Sequence, residues 1–240
     1  MNYGHLFKKK TLSEEDLENE FGRTWIWSAI DPESRLIIYH SVGNRTLEAC
    51  RMFFKGLLSR IDNKPLFVSD ELPHYESILF ENYNETVEFP RTGKRGRPRN
   101  PKKVIDPEIN YAVVHKTREK GKIIKVEKRI VFGTEESIKK CLENTISNTI
   151  NTSYIERSNL TFRQYDAHLQ RKTLKFAKNM KYFEAKLNIN IFHYNFIKPH
   201  WSLSKNKDKS FSPTTPAMKA NIVTDKWTIK YAFSYPVLRA

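Results

Sequence analysis

Cysteine is nearly absent: Cys50 and Cys141 are the only two in 240 residues. So few exclude a disulfide framework, and both lie in helix-like stretches containing Leu or Phe, which reads as buried free thiols rather than a disulfide or a metal pair. Long apolar runs are missing as well. No stretch approaches the ~18 to 20 apolar residues that a bilayer-spanning helix needs, and Met1-Asn2-Tyr3-Gly4-His5 has no apolar signal-peptide core. The expectation is a soluble cytoplasmic chain with no membrane segment. Negative charge is also in short supply, with 27 Asp and Glu against 42 Lys and Arg and a net charge of +15. That balance favours a polyanionic partner, nucleic acid first and an anionic membrane surface second, and steers it at long range. Glycine is scarce at 8 residues, and no internal repeat is present. The length suffices for one large domain or two small ones.

What the chain does contain is ordered enough to place elements. Arg23 to Asp31 is aromatic and β-branched, stops at Asp31-Pro32-Glu33-Ser34, and is followed by an apolar strand from Arg35 to Val42, which predicts an antiparallel hairpin with Asp31 as a turn residue. Thr46 to Ile61 carries Leu47, Met52, Phe53, Phe54, Leu57, Leu58 and Ile61 at helical spacing. Pro65-Leu66-Phe67-Val68 reads as a buried strand ending at Ser69-Asp70. The order strand, strand, helix, strand predicts an α/β layer with an acid at the carboxyl end of its last strand, where ligands often bind. Pro73 to Tyr83 reads as a helix, Tyr111 to Lys116 with Lys122 to Phe132 as a second hairpin, and Thr134 to about Leu142 as a further helix. A long helix starts near Ser153, breaks around Thr173 to Lys178, and is followed by another from about Met180 to Phe196. From Pro199 onward the chain reads as a tail laid over the body.

Two acids stand out, Asp70 and Glu156. Asp70 has an ordinary explanation, since an Asp after a strand often caps the next helix or turns the chain. Glu156 has one too, because Ser153 and Glu156 are spaced as a capping box. Yet Glu156, Asn159 and Arg163 recur at three and seven residues, so a helix puts an acid, an amide and a guanidinium on one face. Such a face suits a metal beside a phosphate. Two Mg²⁺ ions ~3.5 to 4 Å apart can hold the attacking and leaving oxygens of a phosphoryl transfer, and they need carboxylates converging from several elements.

The stretch Ile150-Asn151-Thr152-Ser153-Tyr154-Ile155-Glu156-Arg157-Ser158-Asn159-Leu160-Thr161-Phe162-Arg163 resembles the signature around the last acid of DDE transposases of the insertion-sequence InsB type. Other pieces agree in order: Trp25 to Asp31, Val42 to Thr46, Ser69-Asp70 with Tyr75, Arg171-Lys172-Thr173, Tyr194-Asn195-Phe196, Pro199-His200 and Ser202-Leu203. The resemblance implies an RNase H-like α/β fold, a mixed sheet flanked by helices, with a basic loop (about 91–103) and a β-hairpin insertion (about 110–132) between the second and third catalytic acids. It implies a catalytic domain over 1–203, a C-terminal tail over 204–240, and Asp70 and Glu156 as catalytic residues and metal ligands for Mg²⁺ or Mn²⁺, two ions in a complete site. Asn159 and Arg163 would orient the site or the DNA. The implied partner is double-stranded DNA, at insertion-sequence ends and target, in a prokaryotic cytoplasm and nucleoid-associated when bound, with a homo-oligomer or a mixed oligomer with full-length transposase.

The family's first acid lies in an Asp-Glu-x-Trp pattern on the strand before the Trp-rich one, a few residues ahead of a Lys run. Counting back from Lys8-Lys9-Lys10 lands on Met1 and Asn2. The expectation is therefore a chain truncated at its N-terminus, lacking the first acidic motif, that binds DNA but is feeble or inactive in cleavage. Arg91 to Lys103 holds seven basic residues and no acid. Within it Arg95-Gly96-Arg97-Pro98 matches the core of an AT-hook that enters a narrow minor groove, with Lys94, Arg99, Lys102 and Lys103 on phosphates. A solvated basic loop on any phosphate backbone stands beside that reading. Two rival functions stand as well: a non-catalytic DNA-binding remnant or inhibitor, and a nuclease of RNase H type acting on a hybrid.

Overall fold

A computed structural model describes residues 2–4, 24–89, 100–143, 145–170, 174–175, 177, 179–205 and 210–235. Strands β1 (Asn2–Gly4), β2 (Thr24–Ile30) and β3 (Ile37–Gly43) form an antiparallel sheet in that order. The β2–β3 turn is built by Asp31, whose carboxylate accepts from the backbone N–H of Glu33 at 3.1 Å and of Ser34 at 2.9 Å, while Arg35 takes the left-handed region at φ 64°. Helix α1 (Leu47–Leu58) starts at Thr46, whose hydroxyl accepts from the Ala49 N–H at 3.3 Å, and buries Cys50, Phe53, Phe54 and Leu57 along one stripe.

Strand β4 (Leu66–Asp70) leads to α2 (Pro73–Asn82), which opens on a proline where a missing N–H costs nothing. Strands β5 (Asn84–Val87) and β6 (Lys102–Ile105) pair as an antiparallel ladder. Strands β7 (Asn110–Glu119) and β8 (Lys122–Phe132) form a hairpin whose two turn residues, Lys120 and Gly121, both have positive φ, 47° and 82°, as a tight two-residue turn requires. Then follow α3 (Glu135–Glu143), α4 (Ser153–Tyr165), a 3₁₀ turn (Ala167–Leu169), and α5 (Met180–Phe192) running into a π turn (His193–Ile197). Three short helices follow among the described residues, α6 (Trp201–Ser204), α7 (Pro216–Lys219) and α8 (Ile229–Ser234). Among the described residues no helix is long and apolar enough to cross a membrane.

The chain divides into two compact units, residues 1–45 with 153–240, and residues 46–152. In the second unit β4 runs parallel to β7, with Phe67 opposite Tyr111 and Asp70 opposite Val114, and β7 runs antiparallel to β8. This is a mixed sheet with helices beside it: Phe54 of α1 lies 6.4 Å from Phe67 of β4 and 6.0 Å from Tyr75 of α2. The expected hairpin exists, and its first strand is the middle strand of this sheet. Tyr111-Ala112-Val113-Val114 are all buried. A continuous apolar run is what a strand covered on both faces needs, whereas an edge hairpin would alternate.

In the first unit, Ile26 of β2 and Ile37 of β3 share one core with Phe162, Leu169, Ala177, Phe183, Leu187, Ile191 and Tyr194. The spacing of Phe183, Leu187, Ile191 and Tyr194 keeps one face of α5 and its π turn on that core. Asn195 bonds across 158 residues to β3: its side-chain oxygen accepts from the Ile37 N–H and its amide donates to the Ile37 carbonyl, both at 3.0 Å. Asp166 is fully buried and fully used, accepting from Lys186 at 2.8 Å, from Asn190 at 3.2 Å and from the His168 N–H at 2.9 Å.

Candidate functional site

Asp70 is the last residue of β4, and its side chain is exposed. The ordinary explanations for it do not hold. Leu72 occupies the cap position of α2 and no side chain caps that helix, while the turn after β4 is closed by backbone, with the Leu72 N–H donating to the Asp70 carbonyl at 2.9 Å. Ser69 donates to that same carbonyl at 2.7 Å and lies 2.8 Å from the Tyr111 hydroxyl. Among the described residues no side chain bonds the Asp70 carboxylate. Its charge is nevertheless felt below: burial pushes the Tyr111 phenol up to about 12, and Asp70 adds to that rise. The neighbouring acid behaves differently. Glu71 is held by His115 at 2.5 Å and by Arg129 at 2.9 Å, so β7 and β8 grip the structural acid and leave the one before it ungripped.

Helix α4 begins at Ser153, with Glu156 in its first turn. Glu156 is exposed and Arg163 half-buried. Asn159 is 5% exposed and belongs to a buried stripe with Ser158 and Phe162. A helix turns ~100° per residue, so Glu156 and Arg163 fall within ~20° of one another on one flank of that stripe, with Asn159 ~40° further toward the core. The helix therefore groups the acid with the guanidinium and turns the amide inward.

Of the basic run, Lys102 and Lys103 are exposed on β6, opposite Val87 and Thr86 of β5. The ladder β5–β6 went unread in the sequence, where short polar strands carry no alternation to detect. Lys94, Arg95, Arg97 and Arg99 lie outside the described residues, as do Arg171-Lys172-Thr173 and parts of the expected helix break. At the base of that ladder Lys64 bridges Asp106 at 2.6 Å and Glu108 at 2.7 Å, and holds the Asp106 carboxyl below the usual carboxylate range.

The donors suit hard divalent ions in kind but fall short in number. Mg²⁺ and Mn²⁺ take carboxylate oxygens, and Asp70 and Glu156 each carry a single carboxylate, one in each unit. Among the described residues no three His, Cys, Asp or Glu side chains gather as a metal group. Cys50 is no candidate, since burial pushes its thiol up to about 12 and a thiolate is the ligand. The sequence also passed over a group on the other flank of α4, in which the charges of Arg35, Arg157 and Lys198, after burial, hold the His200 imidazole below its ordinary range; residues so far apart in the chain leave no local signal. Compared with models of known protein families, with curated proteins and with solved structures, the chain matches none.

Proposed function

We propose that this chain is the catalytic part of a DDE-type DNA transposase of the insertion-sequence InsB type, RNase H-like in fold, with two of its three metal-binding acids. Asp70 and Glu156 would hold Mg²⁺ or Mn²⁺, and bound ions would stabilise charge on the oxygens of phosphoryl transfer at element ends. Two carboxylates do not make up a two-ion site, so strand cleavage by this polypeptide is expected to be feeble. The observation that carries the reading is Asp70: an exposed carboxylate at the carboxyl end of a strand in a mixed sheet, with no capping bond and no ion pair among the described residues. A net charge of +15 and the exposed Lys102 and Lys103 support duplex DNA as the partner. Strand β1, which pairs with Trp-bearing β2 through Asn2 opposite Ile26, carries an amide where the resemblance expects an acid.

Metal-dependent nicking of an element-end duplex tests this. Weak nicking is expected, lost in Asp70→Ala and in Glu156→Ala, and raised in Asn2→Asp, which supplies a third carboxylate. Robust nicking that survives Asp70→Ala would sink the assignment. The shortage of carboxylates favours one rival, a non-catalytic DNA-binding protein. Titration with Mn²⁺ separates the two, because the rival has no saturable site that Asp70→Ala removes.

A further inference from the structure

Helix α4 has a second flank, on the far side of its buried stripe from Glu156 and Arg163. At ~100° per residue, Tyr154, Arg157, Ser158, Thr161 and Tyr165 lie within ~100° of one another and centre ~180° from the acid flank. Two cations from elsewhere in the same unit come to this flank. The Arg35 guanidinium carbon sits 3.8 Å from the centroid of the Tyr154 ring, and Lys198 Nζ sits 4.5 Å from that of Tyr165 while donating to its hydroxyl. Arg157 is exposed between those tyrosines along the helix. Beside them His200 is half-buried, its ring edge-on to Tyr194 at 6.0 Å, its Nδ1 3.1 Å from the Ser202 hydroxyl and its backbone N–H donating to the Thr214 carbonyl at 2.9 Å. Burial, Arg35, Arg157 and Lys198 all press the imidazole below its ordinary 6.5, so the three positive charges act on one place.

Among the described residues no carboxylate answers them. Asp31 is spent on the β2–β3 turn and Asp166 on Lys186 and Asn190, and among the described residues no acid pairs with Arg35, Arg157 or Lys198. The Ser158 hydroxyl, 3% exposed on the same flank, has no partner among the described residues either. Like charges gathered without a counter-ion are unfavourable, and stacking two of them on rings settles their geometry before any ligand arrives. We propose that this flank is a phosphate-binding face for the backbone of duplex DNA, with Arg35, Arg157 and Lys198 as its contacts. A duplex fits better than a single strand, because Arg35 and Lys198 already cover the tyrosine faces on which unpaired bases would stack. The proposal shares the DNA partner with the transposase reading but none of its chemistry, so binding without divalent metal separates the two.

The test is binding of the full chain to a duplex of arbitrary sequence across a salt series, without metal. Each of Arg35→Ala, Arg157→Ala and Lys198→Ala should lower the salt slope by about 0.9, and the triple variant by about 2 to 3. Where the triple variant does not fold, Arg157→Glu on the exposed helix surface should by itself weaken binding at least tenfold at low salt. Unchanged slopes in the folded variants would overturn the proposal, and so would preference for a single-stranded probe that the same substitutions abolish. Displacement by inorganic phosphate beyond that of chloride at equal ionic strength, lost in the triple variant, would assign the cluster to a small anion and overturn it as well.

Discussion

The first unit is closed by residues far apart in the chain, as between Ile37 and Asn195, whereas the sheet and helices of the second are made within residues 46–152. The four tryptophans, Trp25, Trp27, Trp201 and Trp227, all lie in the first unit and both cysteines in the second, so each carries its own reporter. The difference teaches where damage should show. Leu187→Ala removes a fully buried side chain from the first unit's core and should cost about 2 to 5 kcal/mol, read as an earlier loss of tryptophan signal in denaturant. Asn195→Ala leaves the N–H and the carbonyl of Ile37 without the side chain that served both, and should cost about 3 kcal/mol. If either substitution left the tryptophan transition in place, the long-range closure would not be what holds this unit.

The second unit is better broken at its backbone. Gly133 has φ 93°, and a Cβ there would stand 2.3 Å from the Asn110 side-chain oxygen. Gly133→Ala should therefore cost about 1 to 3 kcal/mol. Cys50 is the probe: fully buried and with its thiol pushed up to about 12, it is unreactive while the unit is folded, and its labelling should speed up in this variant. Labelling at the parent rate would show that the turn absorbs the methyl group.

The same contrast decides what the sequence could reveal. The β2–β3 hairpin with its Asp31 turn, α1 and the β7–β8 hairpin were legible because their signals are local: alternation, a cap, a turn residue. The role of β7 as a middle strand was written in Tyr111-Ala112-Val113-Val114, yet a hairpin reading stops at the turn and does not ask what lies on the other edge. In the site, Asp70 and Glu156 were legible as acids at a strand end and on a helix. The freedom of Asp70 from the expected capping role was not, since the cap position falls two residues further on, at Leu72. The burial of Asn159 was not legible, because a spacing of three and seven fixes a face but not which edge of it is buried. The cluster of Arg35, Arg157 and Lys198 is assembled by the long-range closure and was invisible for the same reason.

A smaller effect should appear with pH in the first unit. Because His200 in the folded chain titrates below 6.5, the unfolded chain binds the proton first as pH falls. Stability should thus drop as pH is lowered through the unfolded value and level off below the folded one. Arg35, Arg157 and Lys198 act on this imidazole through their charge, Tyr194 and Ser202 contact it, and no carboxylate among the described residues bonds it. The tryptophan-reported melting temperature should therefore fall on acidification, and less so in His200→Asn. Duplex DNA sharpens the comparison: backbone phosphates on the cluster should move the His200 titration upward by NMR, and an unmoved titration would separate the histidine from the cations.

The smallest effect is expected where the candidate chemistry is. Asp166 has both oxygens engaged and is fully buried, so the fold depends on its charge, whereas Asp70 is exposed and bonded by no side chain among the described residues. Asp70→Asn keeps the shape and removes the charge, and should leave thiol labelling of Cys50 and the denaturation midpoint within about 0.5 kcal/mol of the parent. A carboxylate that a fold needs for stability must destabilise when neutralised; one kept for a ligand need not. Glu71 is the internal control, since neutralising it strips His115 and Arg129 of their shared partner one residue away. Should Asp70→Asn cost as much as Glu71→Gln, Asp70 is a structural acid of the sheet edge, and the metal-ligand reading loses the observation on which it rests.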